Sequence, residues 1–84
     1  MNKWISVKDK LPNKKGSYLC YVKSSFGSWI KIASFSTNLE KVDKYTFRGE
    51  QHSGWYSYDS EYGYVEHYNI THWMPLPKAP KDEI

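Results

Sequence analysis

Three histidines, one cysteine and a scatter of carboxylates are the groups in this chain with chemistry to offer. His67 and His72 stand five residues apart, so on neighbouring strand segments they could converge with Glu66 or Asp59; His52 is more distant in sequence. A metal centre needs three ligands around an open position or four around a closed one, and no Cys/His set here has such spacing. Cys20 lies between Leu19 and Tyr21 in an apolar run, the setting of an inert core thiol and not of an activated thiolate. Asp59 and Glu61 fall in a turn pattern, where solvated carboxyls keep ordinary acidity and make weak general acids. The five glycines are scattered and form neither a dinucleotide fingerprint nor a P-loop. No catalytic site, metal or cofactor is therefore expected, and binding is the activity left to consider.

The residues that suit binding are aromatic. Rings make up 18% of the chain, with eight Tyr, four Trp and three Phe, and they are more than so short a chain is expected to hide completely. A band runs through Trp55, Tyr56, Tyr58, Tyr62, Tyr64 and Tyr68. Tyr62, Tyr64 and Tyr68 share one strand parity with Glu66 between them, so that row is expected to be half exposed. Tyr and Trp present an apolar body with a polar tip, which suits them to anchor protein interfaces, and the same rings can stack on planar ligands. The competing expectation is that they fill a leucine-poor core. Lys31, Lys41, Lys44 and Arg48 are the cations placed to meet phosphate if the ligand is a nucleotide or nucleic acid.

Eighty-four residues suffice for one domain, expected over 1–77, with a frayed tail at 78–84. Residues 1–48 hold ten basic and three acidic side chains, +7, and residues 49–84 hold two and six, −4. The basic half suits an acidic partner. A lone cysteine has no intrachain disulfide partner, which favours a reducing cytoplasm. Met1 to Lys15 is crowded with lysines, so neither a signal-peptide core nor a membrane span is expected there.

The elements that must position these groups read as strands. Trp4 to Val7 is a short edge segment, followed by a helical turn ahead of Pro12. Ser17–Lys23 and Ser28–Ser36 alternate and make a hairpin, with Tyr18, Cys20 and Val22 on one face of the first strand. On the second strand the face of Ile30 and Ile32 is the expected core side, because the opposite face carries Lys31. Thr37 to Glu50 mixes periods and is expected to form a loop with a possible short helix. Gly54–Tyr58 and Tyr64–Tyr68 are the third and fourth strands. The run from Ile70 begins as a strand that Pro75 and Pro77 bar from a central position. The expected fold is a mostly β, small antiparallel sheet of four or five strands with one short helix or helical turn.

Two motifs frame the chain, Trp4-Ile5-Ser6-Val7-Lys8-Asp9-Lys10-Leu11-Pro12 and Thr71-His72-Trp73-Met74-Pro75-Leu76-Pro77. They resemble the ends of a small phage, prophage and bacterial family catalogued as domain of unknown function 551. The resemblance implies a phage or prophage origin but no activity. Trp4 and Trp73 are expected to bring the chain ends together and close the core, with His72 and Thr71 as hydrogen-bond partners of a buried indole. The leading expectation is a cytoplasmic, non-catalytic accessory protein that docks a host protein through its aromatic strand face. The alternative is capture of a nucleotide-like or nucleic-acid ligand by stacking. A homodimer is a further possibility, since an open sheet leaves edges to pair.

Overall fold

Six strands follow one another in the computed structural model, which describes residues 3–77. They are β1 (Ile5–Ser6), β2 (Gly16–Ser24), β3 (Gly27–Ser36), β4 (Gly54–Asp59), β5 (Gly63–His67) and β6 (Ile70–Pro75). One antiparallel sheet holds them all in the order β1-β6-β2-β3-β4-β5. A 3₁₀ turn, Leu39–Lys41, is the one helical element among the described residues. The mostly β, antiparallel expectation holds, and the extra strands lie at the chain ends. The expected fraying of 78–84 lies outside the described residues.

β1 pairs only with β6, through Ile5 opposite Trp73 and Ser6 opposite His72, so the two terminal motifs do meet. β6 is nevertheless an interior strand, flanked by β1 and β2. The prolines do not forbid this, because β1 reaches no further than Trp73. Pro75, at the end of β6, has a strand neighbour on the β2 side alone, opposite Tyr18.

The two faces of the sheet differ. One buries Cys20, Val22, Ala33, Phe35, Trp55, Ile70 and Trp73, with Ile5, Val7 and Tyr18 packed against them. Edge-to-face rings fill much of this space: Tyr18 meets Trp73 with centroids 5.2 Å apart, and Phe35 meets Trp55 at 4.9 Å. The segment after β1 is tied to the same side. Trp73 donates its indole N–H to the Lys10 carbonyl at 2.8 Å, Tyr18 donates its hydroxyl to Lys14 at 2.8 Å, and Pro12 is buried. The indole partner is thus a backbone carbonyl 63 residues away, and not His72 or Thr71 as expected.

The core side of β3 is the reverse of the expected one. Cross-strand register sets Cys20 opposite Lys31 and Val22 opposite Trp29, so the odd-numbered residues of β3 share the core face. Ala33 and Phe35 are sealed at 2% and 1% exposure, whereas Ile30 and Ile32 remain 56% and 57% exposed. Lys31 is tolerated on the inner face because it is half-buried along its stem, while its Nζ reaches the His67 Nε2 at 3.3 Å.

Residues 37–53 form a second, smaller packing unit. Leu39 and Phe47 are buried, and Phe47 lies 6.4 Å from Tyr56 and 6.3 Å from Tyr64 on the opposite face from Trp55. Gly54 permits this close cover, since a Cβ there would lie 2.7 Å from the Leu39 Cδ1. Asn38 caps the 3₁₀ turn through the Glu40 N–H. The Glu40 carboxylate accepts from the Gly49 N–H at 3.0 Å and the Gln51 side chain at 2.8 Å, and these bonds hold its pKa below the ordinary value.

Candidate functional site

Because the loop covers only the β4–β5 end of the second face, none of the described residues forms a layer above the rest of that face. Its strand residues follow from the register. Met74 stands opposite Leu19, and Leu19 opposite Ile32; one row along, His72 stands opposite Tyr21, and Tyr21 opposite Ile30. Leu19, Tyr21 and Met74 are half-buried, Ile30 and Ile32 are more exposed, and Trp4 packs on Tyr21 at 5.9 Å. Large apolar side chains that alternate on β2, β3 and β6 therefore form one contiguous apolar surface. Contiguous apolar surface of this kind is uncommon on a small domain and is the feature of this face to explain.

The charge of this surface is one-sided. Across β6, β2 and β3 the outward positions are His72, Met74, Ser17, Leu19, Tyr21, Lys23, Ser28, Ile30, Ile32 and Ser34. Lys23 is the fixed charge in that set, and no carboxylate belongs to it.

The aromatic band is divided by the fold. Trp55 is 7% exposed in the core and is unavailable as an outward anchor, because its register partner Phe35 and Tyr18 pack against it. Tyr56 and Tyr64 lie half-buried beneath Phe47. Tyr58, Tyr62 and Tyr68 are exposed, with Tyr58 stacked edge-on against Tyr64 at 5.0 Å. Lys31 lies on the opposite face from the tyrosines, while Lys41, Lys44 and Arg48 are exposed on the covering loop. Of these four cations, Lys31 is separated from the outward tyrosines by the sheet itself. Sequence reasoning missed Leu19, Ile30, Ile32 and Met74 because apolar residues at strand period read first as core.

Two polar clusters were also out of reach of the sequence. On the core face, the His67 Nε2 lies 2.7 Å from the Ser57 hydroxyl and 3.3 Å from the Lys31 ammonium. An ammonium only donates, so Nε2 must act as an acceptor and the ring is neutral. Burial first and the Lys31 charge second hold the His67 pKa below 6.5. The Ser57–His67 distance suits nucleophile and base, but the lysine opposes arrival of a proton at that nitrogen, the reverse of what a general base needs. His67 and His72 lie on opposite faces of the sheet, with β2, β3 and β4 between their strands, so they do not converge. Cys20 is fully buried, and burial pushes its thiol up to about 11, which keeps it protonated.

The neutral His67 sets the sign of one pH effect. A pKa lower when folded than when unfolded gives stability that is present above the unfolded value near 6.5 and is lost as pH falls through the folded value. Lys31→Met is expected to raise the His67 pKa in an NMR titration of the imidazole protons. An unchanged titration would mean that the lysine does not act on this ring. His52, drawn upward chiefly by the Ser53 carbonyl, should titrate above His67 in the same spectra.

The other cluster joins Glu50, His52 and Glu66, with a ligand atom of each within 4.8 Å of the others. Glu66 also accepts from the Tyr68 hydroxyl at 3.0 Å, and burial, followed by the neighbouring Glu50, raises its pKa. Two carboxylates and an imidazole can attract a cation, although exposed acidic groups gather in this way without one. Only the packing of the 37–53 loop on β5 brings residues 50 and 52 to residue 66, so no local spacing reveals the cluster.

Residues 3–81 match the profile of a family described as a protein of unknown function, DUF551. No curated protein and no solved structure matches the chain.

Proposed function

We propose, since the chain belongs to the DUF551 family, that it is a small non-catalytic module that docks another protein through the uncovered face of its sheet. In this reading it is a phage or prophage accessory protein acting on a host protein in the bacterial cytoplasm. The observation that carries it is the apolar surface of Leu19, Ile30, Ile32 and Met74, left open while the neighbouring tyrosines are roofed by a loop. A sheet face buried by a partner instead of by its own chain accounts for isoleucines exposed at mid-strand.

The partner is a protein with an apolar patch rimmed by carboxylates. Lys23 is the fixed charge among the outward positions of β6, β2 and β3, and the first 48 residues carry +7. An acidic rim would complement that field and speed encounter. A second copy of the chain would bring the same cation and the same lack of carboxylates, so it offers no such match.

A benzophenone amino acid placed at Ile32 tests the location. Irradiation in the native host is expected to trap one acidic-surfaced protein from Ile32 and not from Tyr62, which lies in the β4–β5 turn. Equal trapping at both positions, or trapping of a second copy alone, would overturn the assignment.

A further inference from the structure

At the β1–β6–β2 end of the same face, two hollows meet across the rings of Tyr21 and His72. The larger, about 430 Å³, is lined by Ser6, Lys8, Tyr21, Lys23, Thr71 and His72, among others. The smaller, about 180 Å³, lies between Trp4, Tyr21 and His72. Together they have the size of a small-molecule site, and this reading goes beyond the docking function without depending on it.

The groove has an aromatic end and a cationic end. Trp4, Ser6 and Lys8 succeed one another at alternate positions along and just beyond β1, as Tyr21 and Lys23 do along β2. Two residues of strand advance roughly 7 Å, so the ring-lined slot and the lysines are separated by that order of distance. Lys8 is presented by the turn after β1, where the Ser6 carbonyl accepts from Asp9 and Lys10 and the Ser6 hydroxyl accepts from the Lys8 N–H at 3.2 Å. Neither lysine enters an ion pair among the described residues.

A bulge builds the floor. The β2–β6 register shifts between Tyr21 and Val22, leaving Thr71 without a β2 partner. Its hydroxyl lies 3.4 Å from the Tyr21 carbonyl and 2.9 Å from the His72 Nδ1, so it braces the imidazole against the bulge. Neither Thr71 nor His72 is used by the core, although both belong to the closing motif.

We infer that this groove binds a planar ring carrying a phosphate, of the size of a nucleoside monophosphate. Trp4, Tyr21 and His72 take the ring, and Lys8 and Lys23 take the phosphate. Two lysines suit the double charge of a phosphate monoester, whereas a carboxylate would need only one. Span and volume fit one nucleotide. The cations are not Lys31, Lys41, Lys44 and Arg48, which lie elsewhere.

The test is an NMR titration of the isolated protein with the four ribonucleoside 5′-monophosphates, their nucleosides and inorganic phosphate. Saturable shifts are expected at Ser6–Lys8, Tyr21–Lys23 and Ile70–Trp73. At least one monophosphate should bind about tenfold or more tighter than its nucleoside or phosphate alone. Lys8→Gln with Lys23→Gln, both exposed and so expected to leave the fold intact, should erase that advantage, and Trp4→Ala should weaken monophosphate and nucleoside alike. The inference is overturned if no monophosphate saturates, if inorganic phosphate binds as well as the nucleotides, or if the double variant binds unchanged. None of these results bears on crosslinking at Ile32.

Discussion

Replacing Trp73 with alanine should lower the melting temperature by about 15 to 30 °C, or leave the chain unfolded at room temperature. The indole is buried against Tyr18 and Trp55, beneath the segment that ends at Pro12. Its N–H is the bond that ties Lys10 to the core. Deleting a buried aromatic of this kind costs about 3 to 5 kcal/mol. A domain of this length holds only ~4 to 13 kcal/mol in total. Trp29 supplies the control, because it shares the core face of the sheet but stays 47% exposed, so Trp29→Ala should cost far less. A Trp73→Ala protein melting within about 5 °C of the parent would show that this closure does not hold the fold together.

The strands were legible where one period of two dominates. Residues 17–23 and 28–36 alternate without interruption, and they form β2 and β3 with the hairpin between them. What alternation does not carry is which side will be covered. Lys31 suggested an exposed face, yet its partner Cys20 is fully buried, and cross-strand register decides the matter. Ile30 and Ile32 were read as core because apolar side chains at strand period usually are, yet both are more than half exposed. Trp55 was drawn into that interface although it packs on Phe35.

The rest was hidden by long-range pairing. Pro75 and Pro77 argued against an interior β6, and only the shortness of β1 removes the objection. The indole acceptor is the carbonyl of Lys10, a group that no residue type advertises. Residues 37–53 mixed two periods because they build a cover for Tyr56 and Tyr64 from two anchors, Leu39 and Phe47, and a network around Glu40. The groove at Tyr21 and His72 depends on a bulge, which leaves no mark in the pattern of residue types. Thr71 and His72, read from the sequence as partners of a buried indole, line this groove instead.

Ile30→Asp with Ile32→Asp should abolish docking while sparing the fold. Both side chains are more than half exposed, so their removal opens no cavity and leaves Ala33, Phe35 and Cys20 undisturbed. In the complex, two carboxylates would be buried against apolar surface and near a partner's acidic rim. Loss of anchors at an interface centre costs ~2 kcal/mol or more, and unpaired buried charge adds to this, so affinity should fall about 100-fold or beyond. The decisive measurement is calorimetric titration of the protein trapped at Ile32 into the parent and into this double variant, with melting curves for both. The account predicts cooperative melting of both proteins, with the double variant lower by the strand-propensity cost of two Asp residues, and heat of binding for the parent alone. A folded double variant that binds the partner as tightly as the parent would contradict it.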